Sequence, residues 1–179
     1  MTVLIVSTCA ELFSEAEFVA PLARIAREAG TKVETRHLND LDGVPEGISH
    51  VLLAGTALQD DSYLKEITAV KPLLEADVPL LAICSGMQLL AAARGGEIIM
   101  QREIGTVQVE TLAENPLCSG NFEAFVLHYY TVKPGPQFEV LAQSKDCVQV
   151  VRHRELPHYG MMFHPEVRNE QVVRNFIVL

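Results

Sequence analysis

The chain has 179 residues, 49% hydrophobic and 21% charged, with a formal net charge of −9, a balance typical of globular proteins. A single domain over 1–179 is expected at this length. The acidic balance and the lack of any Lys/Arg cluster argue against nucleic-acid binding, and no apolar run reaches the ~20 residues that a membrane span needs.

In chain order, "MTVLIVSTCA" lacks a basic leading segment and reads as a first strand over 2–7, not as a signal peptide. Residues 12–29 carry Val19, Leu22, Ile25, Ala26 and Ala29 at helical spacing, with Gly30 placed as a C-cap. "TKVETRH" and "HVLLAG" predict a second and a third strand, 62–76 a helix, and "DVPLLAIC" a fourth strand that runs into a helix from Gly86. Apolar strands alternating with helices indicate a parallel sheet covered on both faces. Beyond residue 97 come short strands between turn-rich segments: "EIIMQ", "TVQVETL", "FEAFVLHYY", "FEVLAQS", "VQVVRHR" and "HYGMMF". A helix over 168–177 closes the chain. The expected fold is therefore α/β, an open, mostly parallel, flavodoxin-like sheet flanked by helices, with an added short-stranded antiparallel part.

The four cysteines, Cys9, Cys84, Cys118 and Cys147, show no close pairing of the metal-knuckle or redox kind. Free thiols and a cytoplasmic location are the plain expectation. Cys84 stands apart, because it falls where strand becomes helix at the carboxyl end of the sheet, the place where open α/β folds collect reactive groups. Gly86 would let the turn be tight and the helix pack close, as in the strand–nucleophile–helix elbow of hydrolases. The helix dipole favours a thiolate there, and the Ser85 N–H points where an oxyanion would form. A buried core cysteine remains the alternative.

A nucleophilic cysteine needs a base, and the base an orienter. His164 ends an apolar strand in "GMMFHPEVRN", and Pro165 pushes it toward an extended conformation. With residues two apart on one side of an extended chain, Glu166 would face His164 and hold its tautomer. The alternative is a strand end with a solvated carboxylate.

Taken together, "CSGMQ" (84–88) and "HPE" (164–166) resemble the elbow and the late His-Pro-Glu of the class I glutamine amidotransferase family. The resemblance covers essentially the whole chain, and "FEVLAQSKDCVQVVRHRELPHYGMMFHPEVRN" resembles the glutaminase subunits of archaeal-type GMP synthetases. It implies that Cys84 attacks the side-chain amide of glutamine. His164 would take the thiol proton and hand it to the departing ammonia, and water would release glutamate from the thioester. Gln88 would help hold the substrate's amino-acid end, its alternative being to cap a neighbouring loop. Neither a metal nor an organic cofactor is implied, and the ammonia would pass to a synthetase subunit on a separate polypeptide.

Two stretches depart from the family pattern. Where a Gly-Gly-Pro-type loop usually completes the oxyanion hole, this chain has Gly55-Thr56-Ala57, and a β-branched Thr56 would be costly if that position required a positive φ. Where a Ser-His-x-Asp loop meets the substrate, it has Leu127, His128, Tyr129 and Tyr130. Gly55, Thr56, Ser85, Gln88, His128, Tyr129 and Tyr130 are the expected substrate contacts. Two other readings stay open at this point: a stand-alone γ-glutamyl hydrolase, and a catalytically weak homologue acting as a binding or regulatory module.

Overall fold

In the computed structural model, which describes residues 1–179, all nine strands join one sheet. They are β1 (Thr2–Ser7), β2 (Lys32–His37), β3 (His50–Leu53), β4 (Leu80–Ile83), β5 (Glu97–Thr111), β6 (Asn121–Lys133), β7 (Phe138–Gln143), β8 (Val148–His153) and β9 (His158–Met161). Their order is β2-β1-β3-β4-β9-β8-β7-β5-β6. The first five run parallel and the remaining four pair antiparallel. The parallel half thus has the flavodoxin-like character expected from the sequence, except that its fifth strand is β9, which read as one of the later short strands, and the antiparallel strands continue from it.

The all-apolar strands read as buried on both faces, and they are. In β1, Val3 and Ile5 enter one core cluster while Leu4 and Val6 enter the other, because successive side chains point to opposite faces of a strand. One face is covered by α1 (Glu15–Phe18), α2 (Ala20–Glu28) and α5 (Glu170–Ile177), the other by α3 (Lys71–Leu74) and α4 (Ser85–Ala93). Polar β2 takes the edge, half-exposed.

Three expected elements differ in detail. The helix expected over 12–29 is broken into a 3-10 turn, α1 and α2, with Pro21 in the first turn of α2, since proline donates no backbone hydrogen bond and disfavours helix in the residue before it. Pro72 likewise opens α3, and the helix expected over 62–76 becomes a 3-10 turn at Ser62–Lys65 followed by that short helix. "EIIMQ" and "TVQVETL" are one 15-residue strand, β5. Its register slips between Met100 and Glu103, and Gly105 takes φ 106°. A bulge and a glycine absorb what looked like a turn. No helix is long and apolar enough to cross a membrane.

Candidate active site

β4 and β9 lie side by side at the centre of the sheet, and the candidate nucleophile and base follow their carboxyl ends. Cys84, one residue past β4, has φ 51° and ψ −109°, a conformation strained for any residue with a Cβ. It is held from both sides: its N–H donates to the Met161 carbonyl at 2.7 Å, and its own carbonyl accepts from Gln88 N–H at 3.1 Å. The strain of the elbow therefore rests on the cysteine itself. Gly86 does the other job read from the sequence, close packing. A Cβ there would lie 2.5 Å from the Leu53 carbonyl oxygen, so α4 can sit on β3 only where residue 86 is bare.

His164 follows β9 and is tied across the sheet by its N–H, which donates to the Phe125 carbonyl of β6 at 2.8 Å. Its ring is fully buried and tilted against Phe18. Nδ1 lies 2.7 Å from Glu166 Oε1, leaving Nε2 as the nitrogen without a hydrogen-bond partner. A Cβ added to Gly55 would meet His164 Cε1 at 3.0 Å and Cys84 Cβ at 3.3 Å, which brackets the two candidate catalytic side chains around one bare glycine. Burial opposes a charged imidazole here. Negative charge at Cys84 and the Glu166 carboxylate outweigh that penalty and raise the pKa of His164 to about 10.

Glu166 reaches the imidazole by a different route from the one expected. The chain does not stay extended past Pro165. Val167 and Arg168 N–H groups both donate to the His164 carbonyl at 3.2 Å, so 164–167 is a turn with proline at its second position, where its fixed φ fits.

The pocket in front of Cys84 is narrow, with about 20 Å³ of water-accessible space, room for little more than one water molecule. Every expected contact except Gly55 lines it. Thr56 is buried, yet Cys84 and Asn169 are the only non-glycine residues with positive φ, so the strain feared at Thr56 is not incurred. Its hydroxyl donates to Asp60 Oδ2 at 2.6 Å. Ser85 is buried, its hydroxyl 3.2 Å from that of Thr8. Gln88 is buried with its amide occupied at both ends: Oε1 accepts from the Tyr63 hydroxyl, and Nε2 donates to the Tyr130 carbonyl at 2.7 Å. It ties the two walls of the pocket together. Tyr129 is partly exposed at the rim. His128 borders the pocket but is buried, its Nε2 3.7 Å from Glu103 Oε2.

Three contributors escaped sequence reasoning. Asp60 accepts from Ala10 N–H, Thr56 Oγ1, Ser62 N–H and Ser62 Oγ. Burial pushes its carboxyl up, and these donors together hold it below its ordinary value. Its signal was present in "DDSY", where an aspartate bonds the backbone two residues on. Tyr63, whose hydroxyl burial pushes up, and Leu127, whose carbonyl lies 3.7 Å from Cys84 Sγ, gave no local signal.

Comparison with known proteins shows the family of the chain. The family described as "Glutamine amidotransferase class-I" matches residues 14–177. The chain is similar to a glutamine-hydrolyzing GMP synthase subunit of Pyrococcus abyssi, at 34% identity over 81% of each chain. It is similar to the same subunit from Pyrococcus furiosus, with 31% identity covering 89% of this chain and 92% of that one. In fold it resembles a crystal structure of a glutamine amidotransferase from Thermotoga maritima, with TM-score 0.74 and 22% identity over 99% of this chain and 81% of that one. A structure from Thermoplasma acidophilum superposes more closely, with TM-score 0.88 and 24% identity over 99% and 92%.

Proposed function

The chain belongs to the class I glutamine amidotransferase family, and from that premise we propose that it hydrolyses the side-chain amide of glutamine through a thioester on Cys84. The observation that carries this reading is the strained cysteine at the head of α4 beside the buried His164–Glu166 pair. With its proton affinity raised, His164 takes the Cys84 thiol proton as the attack begins. Cys84 Sγ attacks the amide carbon. The imidazolium proton passes to the leaving nitrogen, the C–N bond breaks, and ammonia departs. His164, now neutral, takes a proton from water, the hydroxide adds to the thioester carbon, and the C–S bond breaks to give glutamate. Glu166 bonds Nδ1 throughout, fixing the tautomer and orientation of the ring. The Ser85 N–H at the head of α4 and the backbone of 55–56 are the groups placed for the oxyanion, since Gly55 lets that loop lie against both reactive side chains.

Family membership makes free glutamine the substrate proposed for the pocket in front of Cys84. Asp61 lines it, and with Asp60 occupied by four donors, Asp61 is the carboxylate we assign to the substrate's α-ammonium group. Similarity to subunits named for GMP synthesis supports a cytoplasmic glutaminase that passes its ammonia to a separate synthetase subunit. The single domain read over 1–179 is consistent with one sheet holding every strand.

The test is glutamate release from glutamine by the purified chain, alone and with the synthetase subunit encoded in the same genome. Turnover in either setting that disappears in Cys84→Ala is expected. Undiminished turnover in Cys84→Ala would overturn the assignment.

A further inference from the structure

Behind the pocket wall formed by 127–130, three side chains of unlike chemistry converge in the interior: Glu103 of β5, His128 of β6 and Cys147 in the turn before β8. Their donor atoms all lie within 4.8 Å of one another. The backbone is shaped to bring them together. Met100 pairs with Tyr130, and regular pairing would then set Arg102 opposite His128. The bulge inserts one extra residue, and Glu103 takes that place, the kind of re-aiming that bulges perform. The Glu103 carboxylate is oriented by two donors, Ser144 Oγ at 2.7 Å to Oε1 and Gln149 Nε2 at 2.8 Å to Oε2.

The His128 ring is 1% exposed, and neither of its nitrogens has a hydrogen-bond partner. A buried imidazole with both nitrogens unsatisfied is an unusual expense for a folded protein. Its Nε2 faces Glu103 Oε2 at 3.7 Å, longer than a hydrogen bond but close to the separation of two donors on one small cation. Gln149 Oε1 is also buried without a partner, on a residue that already touches Glu103.

We propose that Glu103, His128 and Cys147 bind a divalent cation of the zinc type. Tetrahedral bonds of about 2.0–2.3 Å separate neighbouring donors by about 3.3–3.8 Å, so the Glu103–His128 pair already fits and the widest pair must close by about 1 Å. A mixed oxygen, nitrogen and sulfur set suits zinc and disfavours magnesium or calcium, which take oxygen ligands. On binding, the Cys147 S–H bond breaks and its proton goes to solvent. Thiolate and carboxylate then balance the two positive charges, and Gln149 Oε1 or a water fills the fourth position. The cation would pin β5, β6 and the turn before β8 together behind the strand segment that carries Leu127 and Tyr130. No short Cys/His spacing announces such a site, because its three ligands come from three separate segments.

The test uses the full chain, stripped of metal by a chelator and titrated with Co²⁺ as a spectroscopic probe, then with Zn²⁺ in competition. One equivalent of Co²⁺ should give a near-ultraviolet thiolate-to-cobalt band and strong visible bands of a tetrahedral site, both displaced by Zn²⁺. The signal should persist in Cys84→Ala, which removes the thiol beside His164. It should be lost in Cys147→Ser, with zinc affinity falling at least about tenfold there and in His128→Gln, circular dichroism verifying that each variant is folded. Absence of the thiolate band in the unsubstituted chain would overturn the proposal even if a variant fails to fold. So would a band that vanishes in Cys84→Ala and survives in Cys147→Ser.

Discussion

Cys84 carries two burdens, its backbone strain and its chemistry, and substitution separates them. Cys84→Ala should abolish glutamate release while keeping the strain, because alanine also has a Cβ. Cys84→Gly should be equally inactive yet more stable than Cys84→Ala by about 1 kcal/mol, since glycine accepts φ 51° without penalty. Thermal melts of the two inactive variants make that comparison. His164→Ala should lower turnover by a factor of about 10³ or more, and Glu166→Gln by less, because the latter disturbs orientation and leaves the proton carrier in place. Rate measurements on both variants check the order. For the α-ammonium contact, Asp61→Asn should raise KM for glutamine while changing kcat little. At this scale the sequence was legible where one short stretch holds two partners, as "HPE" holds His164 and Glu166, though not in the backbone joining them, which turns at Pro165, nor in "CSG", where the positive φ falls on Cys84. It was illegible where the partner came from elsewhere in the chain. For Gln88 the sequence left a substrate contact and a loop cap both open, because neither Tyr63 nor the Tyr130 carbonyl, the groups that occupy its amide, is near it in sequence.

Among the elements, α4 matters most, since its first turn holds Ser85 against Thr8 and its seat on β3 fixes where Cys84 points. Gly86→Ala would thrust a methyl group to 2.5 Å from the Leu53 carbonyl oxygen. Overpacking of this kind costs about 1–3 kcal/mol, and the helix must lift from β3. A lowered melting temperature and a fall in glutamate release should therefore appear together, where an ordinary core substitution would move only the first. Apolar period and strand length made β1, β3 and β4 readable from composition alone. The breaks at Pro21 and Pro72 were also in the sequence, but the helical spacing of apolar residues continues across them and masked the interruption. β5 failed as a reading for the opposite reason. Its bulge and Gly105 look like a turn locally, and only pairing with all of β6 carries the strand through.

For the molecule as a whole, buried histidines set opposing pH dependences. Burial pushes His50 below its ordinary value and His158 down to about 4. The unfolded chain therefore binds more protons than the native one between about pH 6.5 and 4, and stability falls as pH drops through that window. His164 acts in the other sense. Its pKa is raised to about 10, so its contribution is complete below about pH 6.5 and is lost as pH climbs from there toward 10. Melting temperature against pH should accordingly peak near neutrality, and Cys84→Ala, by removing one of the negative charges that raise His164, should flatten the alkaline limb alone. The two halves of the sheet also differed in legibility: β1 to β4 could be read strand by strand, whereas the return of β9, read from "HYGMMF" as one of the later short strands, to pair parallel with β4, and the order in which β5 to β8 pair, depend on contacts between distant segments that no local pattern encodes.

β4 and β9 are neighbours in the sheet, yet everything from α4 to β8 lies between them in the chain. During synthesis the thiol therefore leaves the ribosome well before the imidazole that activates it. Until β9 docks, Cys84 has neither its base nor the Met161 carbonyl that anchors its backbone. On the mechanism proposed above, the nascent protein thus carries an ordinary cysteine whose reactivity begins only once the last strand has found its place, so no half-made chain would squander glutamine.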